Sequence, residues 1–465
     1  MLNEDLHRQS FERTNSQVED FVSPDSTTEI GMTHRALFRQ PLALQWFEGK
    51  TLMKRLEGER QAGRFELFLD LLYVAIVANL ADNLVEHVSG VNLVKYILIL
   101  APTWHVWSDL RELMNSFYTD DLAQRVLILW IMALLVMYGN NATLVDKDIG
   151  AMRSTVGAYI AARFTSMTVH LIYSFASYHH RAQQRLWFCL SFICLCIYIP
   201  LFFESISFRS KIAVTSVAIV LEEVVWVFCY SPAAKRLLRA NYTTAVDIAH
   251  EVDRFAAFFI IVLGEYLYSI VVRSPAAIGF NDRLVRAIWT LIIAFCLNWL
   301  YVHNDGSIQG QHPFQHSIYA SFLWVVLHLP LIASLLAGGH VAAISTESSE
   351  LHIGQRWLLC GGIGTGLIIL FIISLLHKSE DEPKTLLLPK YARIIFRPIS
   401  GIIIICLPLA DSLHVTSLLS IIMVLHVVCV VWENITSLSK GAKFWEKWKE
   451  TNYPEITIAT ENSKT

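Results

Sequence analysis

Residues 64–84 read RFELFLDLLYVAIVANLADNL, and the fold turns on this stretch. It is apolar for long enough to cross a hydrocarbon core once, which takes about 20 helical residues. Its interruptions are acidic. Glu66 and Asp70, four positions apart, share one face of a helix about one turn from each other. Two carboxylates so placed repel, and they want a cation, a shared proton or an arginine between them. For Glu66 the bland alternative is a place at the interface, where a helix N-terminus favours an anion. Asn79 and Asp82, near the far end, read as solvated.

The rest of the chain repeats this character. Of 465 residues, 54% are hydrophobic and 17% charged, with a mean hydropathy of +0.45, against about 25% charged in soluble domains. That excludes an ordinary soluble enzyme and a disordered or fibrous chain. Apolar runs lie near 65–88, 92–108, 125–143, 154–176, 186–203, 211–230, 252–272, 284–302, 317–337, 356–376, 394–410 and 416–433. They predict an all-α polytopic membrane protein of about 12 transmembrane helices. Eleven is the alternative, because the second run holds Pro102 and the eleventh holds Arg397, Pro398 and Pro408.

The domain reading follows: residues 1–60 as a disordered cytoplasmic tail, 61–435 as the membrane domain, and 436–465 as a second cytoplasmic tail. Loop Lys and Arg, commoner on one side, place both termini in the cytoplasm. Arg64-Phe65-x-x-Phe68 returns as Arg254-Phe255-x-x-Phe258, which raises two six-helix repeats, 61–240 and 245–435, an arrangement common in transporters. The eight cysteines sit in apolar runs without a CxxC pair and read as buried free thiols.

Charges inside membrane helices cost roughly 2.5–3.5 kcal/mol each on insertion scales, so they mark function or pairing. Glu265 sits mid-helix in HEVDRFAAFFIIVLGEYLYSIV (250–271), on the face of Arg254 but about 16 Å along the axis. Arg163, Ser166, His170, Ser174 and Ser177 form one polar stripe. Arg163 is the natural partner for a carboxylate of the first, sixth or seventh run. Glu222 and Glu223 are neighbours about 100° apart, so only one is expected to face a given cavity. Ser317, Ser321, Trp324 and His328 read as packing. No metal site is expected from His303, Asp305, His312 and His316, no cofactor motif is present, and GGIGTG (361–366) reads as helix packing. A net charge of −3 gives no basis for nucleic-acid binding.

Several of these stretches together resemble the low temperature requirement A (LtrA) family, in its fungal branch. FELFLDLLYVAIVANL (65–80) is similar to that family's opening Glu-Leu-Phe-Phe-Asp-Leu helix. TWHVWSDLRELMNSFYTDDLAQR (103–125) is similar to its Trp-x-x-Trp stretch and Asp-Asp-x-x-x-Arg turn, and HEVDRFAAFFIIVLGEYL (250–267) to its His-x-x-Glu-Arg-Phe helix ending in Leu-Gly-Glu. HLPLIASLLAGG (328–339) is similar to a late family helix. Asp253 and Leu69 depart from the pattern. The resemblance covers about 64–435 and implies a fold, not a substrate. The family-motif positions it marks are Glu66, Asp70, Trp104, Trp107, Asp121, Arg125, His250, Arg254 and Glu265. A looser architectural likeness is to potassium channels of two six-helix repeats, whose Phe-Ser-Asp serine is absent here.

The functional expectation is a transporter or channel-like protein in which Glu66, Asp70 and Glu265, balanced by Arg254 and Arg163, handle protons, cations or a small solute. A membrane-embedded enzyme acting on a lipophilic substrate is the alternative, with Glu265 or Asp70 as general acid and Trp104, Trp107, Trp324 and Tyr266 stabilising a developing carbocation; a structural role is the third. The partners expected are the lipid bilayer and that unknown solute, cation or proton, with homo-oligomerisation left open.

Overall fold

The computed structural model describes residues 37–49, 51–55, 60, 62–272, 276–382 and 384–441. Among the described residues, twelve helices fall on the twelve apolar runs. They are α1 (Arg64–Glu86), α2 (Gly90–Ser116), α3 (Leu122–Ala142), α4 (Ile149–Ala176), α5 (Arg181–Cys196), α6 (Phe208–Tyr230), α7 (Ile248–Val271), α8 (Asp282–His303), α9 (Ile318–Glu347), α10 (Ile353–Leu376), α11 (Phe396–Cys406) and α12 (Val415–Thr436). With the flanking short helical turns counted, ten of the helical segments are long and apolar enough to cross a membrane. The two not among them, α2 and α4, have 27 and 28 residues; α2 carries Asp109, Arg111 and Glu112 in its C-terminal half, and α4 carries Arg163 at its middle. Large apolar side chains point outward from the spans, Leu129 at 66% exposed and Val220 at 60%, as lipid requires. This is an integral multi-pass membrane protein.

Polar residues set the helix starts. Asp121, Asp148, Ser207, Asn281 and Ser317 each accept a backbone N–H from the first turn of α3, α4, α6, α8 and α9, satisfying a donor that the helix itself leaves free. Pro102 lies within α2 and Pro330 within α9, which tertiary packing tolerates in long membrane helices.

Two compact units divide the chain. The first takes residues up to Tyr73 and Ala101–Arg254. In it α3 packs on α4, α4 on α5 and α5 on α6. Part of the expected disordered tail is ordered here: β1 (Gln45–Glu48) pairs antiparallel with β2 (Thr51–Lys54) and with β3 (Tyr242–Thr244). Trp46 stacks on His179 at 3.9 Å, and Leu44 N–H donates to the Ser116 carbonyl, so aromatic and backbone contacts fix the hairpin. The remainder of that tail before residue 37, and the C-terminal tail after 441, lie outside the described residues.

The second unit takes Val74–Leu100 and Phe255 onward, with α9 on α10, α10 on α11 and α8 on α12. GGIGTG is packing, as expected: a Cβ on Gly362 would meet the Ser334 carbonyl at 2.5 Å, and one on Gly364 the Gly401 carbonyl at 2.6 Å. All eight cysteines are free; Cys189, Cys196 and Cys406 are exposed rather than buried, lying on outward faces where an apolar thiol suits lipid.

Candidate functional site

Most of the buried charge of the first unit gathers along α2. The stretch WHVWSDLRELMNS (104–116) has two working faces at helical spacing. Trp104, Trp107, Arg111 and Asn115 form one; His105, Asp109 and Glu112 form the other.

On the first face an arginine does sit between the α1 carboxylates. Arg254 grips Asp70 with two contacts of 2.8 Å each, and its Nε lies 3.5 Å from Glu66 Oε2. Trp107 Nε1 donates to Asp70 at 2.7 Å, and Trp104 stacks on Trp107 at 4.8 Å. Arg254 and Arg111 both lie over the Trp107 indole, at 5.7 and 5.4 Å from its centroid. His250 Nε2 donates to Glu66 Oε2 at 2.8 Å, and Asn115 Nδ2 donates to His250 Nδ1 at 3.2 Å; that arrangement satisfies a neutral imidazole. Arg111 Nε reaches Glu251 at 3.2 Å. Glu66 Oε1, by contrast, is buried without a hydrogen-bond partner.

Just before α1, Arg60 lies over the Tyr118 ring at 4.6 Å, and its guanidinium nitrogens are buried without hydrogen bonds. Burial pulls Arg60 below its ordinary value while Glu66 pulls it back. Burial likewise raises the Tyr118 phenol to about 12.

On the second face Arg163 Nη1 contacts Asp109 at 2.6 Å and Nη2 lies 3.6 Å from Glu222. The partner of Arg163 in the sixth run was expected; Asp109 was not. His105 lies between both acids of α6, Nδ1 at 2.9 Å from Glu222 and Nε2 at 3.0 Å from Glu223. This corrects the expectation that only one of the two would face a common site, because an imidazole presents nitrogens on two edges and spans the 100° offset. Tyr159 and Tyr198 each donate to Glu222 at 2.8 Å. The α4 stripe is buried throughout, with His170 Nδ1 on Gln184 at 2.7 Å. Trp226 donates to Glu112.

In this region seven carboxylates (Glu66, Asp70, Asp109, Glu112, Glu222, Glu223, Glu251) face four guanidiniums (Arg60, Arg111, Arg163, Arg254), three more acids than permanent cations. Asp109 Oδ2, like Glu66 Oε1, is buried without a hydrogen-bond partner.

The other motif positions lie elsewhere. Asp121 caps α3, accepting from Gln124 N–H at 2.9 Å and from the Thr119 hydroxyl at 3.1 Å. Arg125 pairs with Asp120 at 3.0 Å, both about half-exposed. Glu265 belongs to the second unit, its side chain 20% exposed and 3.9 Å from His340 Nε2, while His340 Nδ1 meets Asp82 at 2.6 Å. Ser321, Trp324 and His328 are buried, Trp324 against Phe255 at 4.8 Å. Among the described residues, no group of three or more His, Cys, Asp or Glu side chains is arranged to hold a metal ion.

Of the acids missed from sequence, Glu251 stands one turn before the marked Arg254, whereas Asp109 and Glu112 share helical spacing with each other and with His105, none of which the sequence reading had singled out. The family model described as bacterial low temperature requirement A protein (LtrA) matches residues 61–433. No curated protein and no solved structure matches the chain.

Proposed function

The chain belongs to the low temperature requirement A family, and from that premise we propose that it is a transporter or channel-like protein handling protons, cations or a small solute through the charge network on α2. Glu66, Asp70 and Arg254 form one part of the site; Arg163, with Asp109 and Glu222, forms the other. The observation that carries the reading is the acid excess together with the orphaned oxygens Glu66 Oε1 and Asp109 Oδ2. An ionised carboxylate oxygen only accepts, and burying one without a donor is costly. A bound proton or a passing cation removes that cost. Protonating Asp70 would also loosen Arg254, whose grip on it is charge-assisted, so occupancy by a proton couples to the freedom of the arginine.

The bias of loop basic residues supports cytoplasmic termini, and six long helices in each of 61–240 and 245–435 support a two-repeat plan. Glu265 belongs to the second unit, and its charge is tested separately below.

Flux into proteoliposomes across a panel of monovalent and divalent cations, with and without a pH gradient, tests the reading. The parent should carry one species and Asp70→Asn should lose it. No flux across the whole panel would overturn transport and favour the membrane-embedded enzyme.

A further inference from the structure

Four described histidines of the first unit are buried and differ in what faces them; His180 has the Gln45 carbonyl at Nε2 and no hydrogen-bond partner at Nδ1. His250 has a carboxylate on one nitrogen and an amide donor on the other, which a neutral ring satisfies. His170 has Gln184 on one nitrogen and the Asp109 carbonyl on the other. Gln184 can turn its amide, whose nitrogen is otherwise unpartnered, and a neutral ring is satisfied there too. His105 has no such freedom. Its nitrogens lie 2.9 and 3.0 Å from two carboxylates, and a carboxylate cannot be flipped into a donor.

A neutral imidazole carries one N–H, and two ionised carboxylates carry none. With that inventory one of the two contacts would set lone pair against lone pair within hydrogen-bond distance. Both become hydrogen bonds only when the trio holds one further proton, either on the ring or on a carboxyl.

The two carboxylates are unequal. Glu222, with a side chain 1% exposed, accepts from Tyr159 and Tyr198 and lies beside Arg163, a donor set that fixes it as an ionised acceptor. Glu223 has His105 as its hydrogen-bond partner and is 31% exposed. The labile proton is therefore the one on the Nε2 side. The charged and titratable groups facing His105 are Glu222 and Glu223 from α6, Tyr159 and Arg163 from α4, and Asp109 one turn along its own helix.

We infer that Glu222, His105 and Glu223 form a proton-binding site, loaded and unloaded through Glu223. In unloading, the Nε2–H bond breaks and its proton passes to the Glu223 carboxylate; the ring is left neutral, with Nδ1–H still donating to Glu222. Glu223 then releases the proton outward, and loading is the reverse, with no redox partner needed. The inference rests on the transport reading for its purpose, since it names the proton as the ion handled.

The test uses full-length protein with ¹⁵N-labelled histidine in lipid nanodiscs near neutral pH. The parent should show a doubly protonated ring that is missing in His105→Gln and reverts to a neutral ring in Glu223→Gln. Should His105→Gln not fold, the signal that responds to Glu223→Gln is the assignment. A neutral His105 in the parent, or a charged one retained in Glu223→Gln, overturns the inference. Proton uptake by proteoliposomes gives the second readout, with Glu223→Gln slower by roughly 100-fold, the scale of losing one positioned proton-transfer group. Equal rates would remove Glu223 as the port. A parent that shows the charged ring and its response to Glu223→Gln yet moves no protons would sink the transport reading while leaving the proton site standing.

Discussion

The two units hold their buried charge in opposite ways. In the second, Arg397 and Glu433 meet through two contacts of 2.6 Å, and the remaining guanidinium protons go to the Leu370 and Asn304 carbonyls and the Ser374 hydroxyl. One cation meets one anion, and each hydrogen-bonding position on the arginine is used. Arg286 and Arg356 also donate to backbone carbonyls at loop and helix ends, though the Nε of each is buried without a hydrogen-bond partner. In the first unit acids outnumber guanidiniums and carboxylate oxygens stay bare. A closed pair has nothing to gain from a visiting ion; an acid-rich network does. The difference separates charge that holds a fold from charge available for work.

Breaking the closed pair should have the largest effect. Arg397→Leu strands Glu433 in the interior and should cost about 3–5 kcal/mol, whereas Arg397→Leu with Glu433→Leu should recover much of that loss. Thermal unfolding in detergent reads both. A single variant as stable as the parent would erase the contrast between the units.

Asp70→Asn should be next. It removes one charge-assisted acceptor from Arg254, which keeps Glu66 nearby, and should cost about 2–3 kcal/mol. Glu66→Gln belongs beside it at under about 1 kcal/mol, the scale of one ordinary hydrogen bond. Its carbonyl can keep the His250 and Gly63 contacts, and its amide replaces an oxygen that had no partner. Equal losses for the two would mean that the bare oxygen of Glu66 is no sign of acid excess.

A smaller, graded effect comes from His312, in the loop before α9. Burial, with the neighbouring His377, pulls it down to about 3, and its Nδ1 accepts from Phe314 N–H at 3.4 Å, a role open only to an unprotonated nitrogen. The folded state therefore binds fewer protons here than the unfolded chain. Stability from this group is complete above the ordinary histidine value of about 6.5 and is lost as pH falls from there toward 3, at no more than about 1.4 kcal/mol per pH unit. His312→Asn keeps a capping acceptor and should flatten that slope in melts between pH about 6.5 and about 4.

Much of the architecture was legible because an apolar run of about 20 residues is a one-dimensional property, and each run coincides with a helix. The arginine between Glu66 and Asp70 was also legible, since i and i+4 acids demand a countercharge. Pairing between helices was not. The second run was ended at 108, where charges resume, yet α2 continues to Ser116, because Asp109, Arg111 and Glu112 are solvated by protein rather than water. Nor does the doubled Arg-Phe-x-x-Phe motif reveal its settings: Phe65 and Phe68 are exposed on α1, whereas Phe255 and Phe258 are buried on α7.

The smallest expected effect concerns Glu265, which from sequence alone had no interface within reach and promised to behave like Asp70. Its surroundings differ. Asp70 is fully buried and held by three hydrogen bonds; Glu265 is partly exposed and stands 3.9 Å from a histidine whose other nitrogen is committed to Asp82. At that separation the contact is an ion pair without a hydrogen bond, and only when His340 is protonated. Partly exposed pairs of this kind contribute about 0–1 kcal/mol, so Glu265→Gln should unfold within that margin of the parent in detergent, far from the Arg397→Leu loss. A loss of about 3–5 kcal/mol would place Glu265 with the closed pairs of the second unit. If stability is unchanged but flux falls, the second unit also carries working charge, and the division between the units narrows to the Arg397–Glu433 pair.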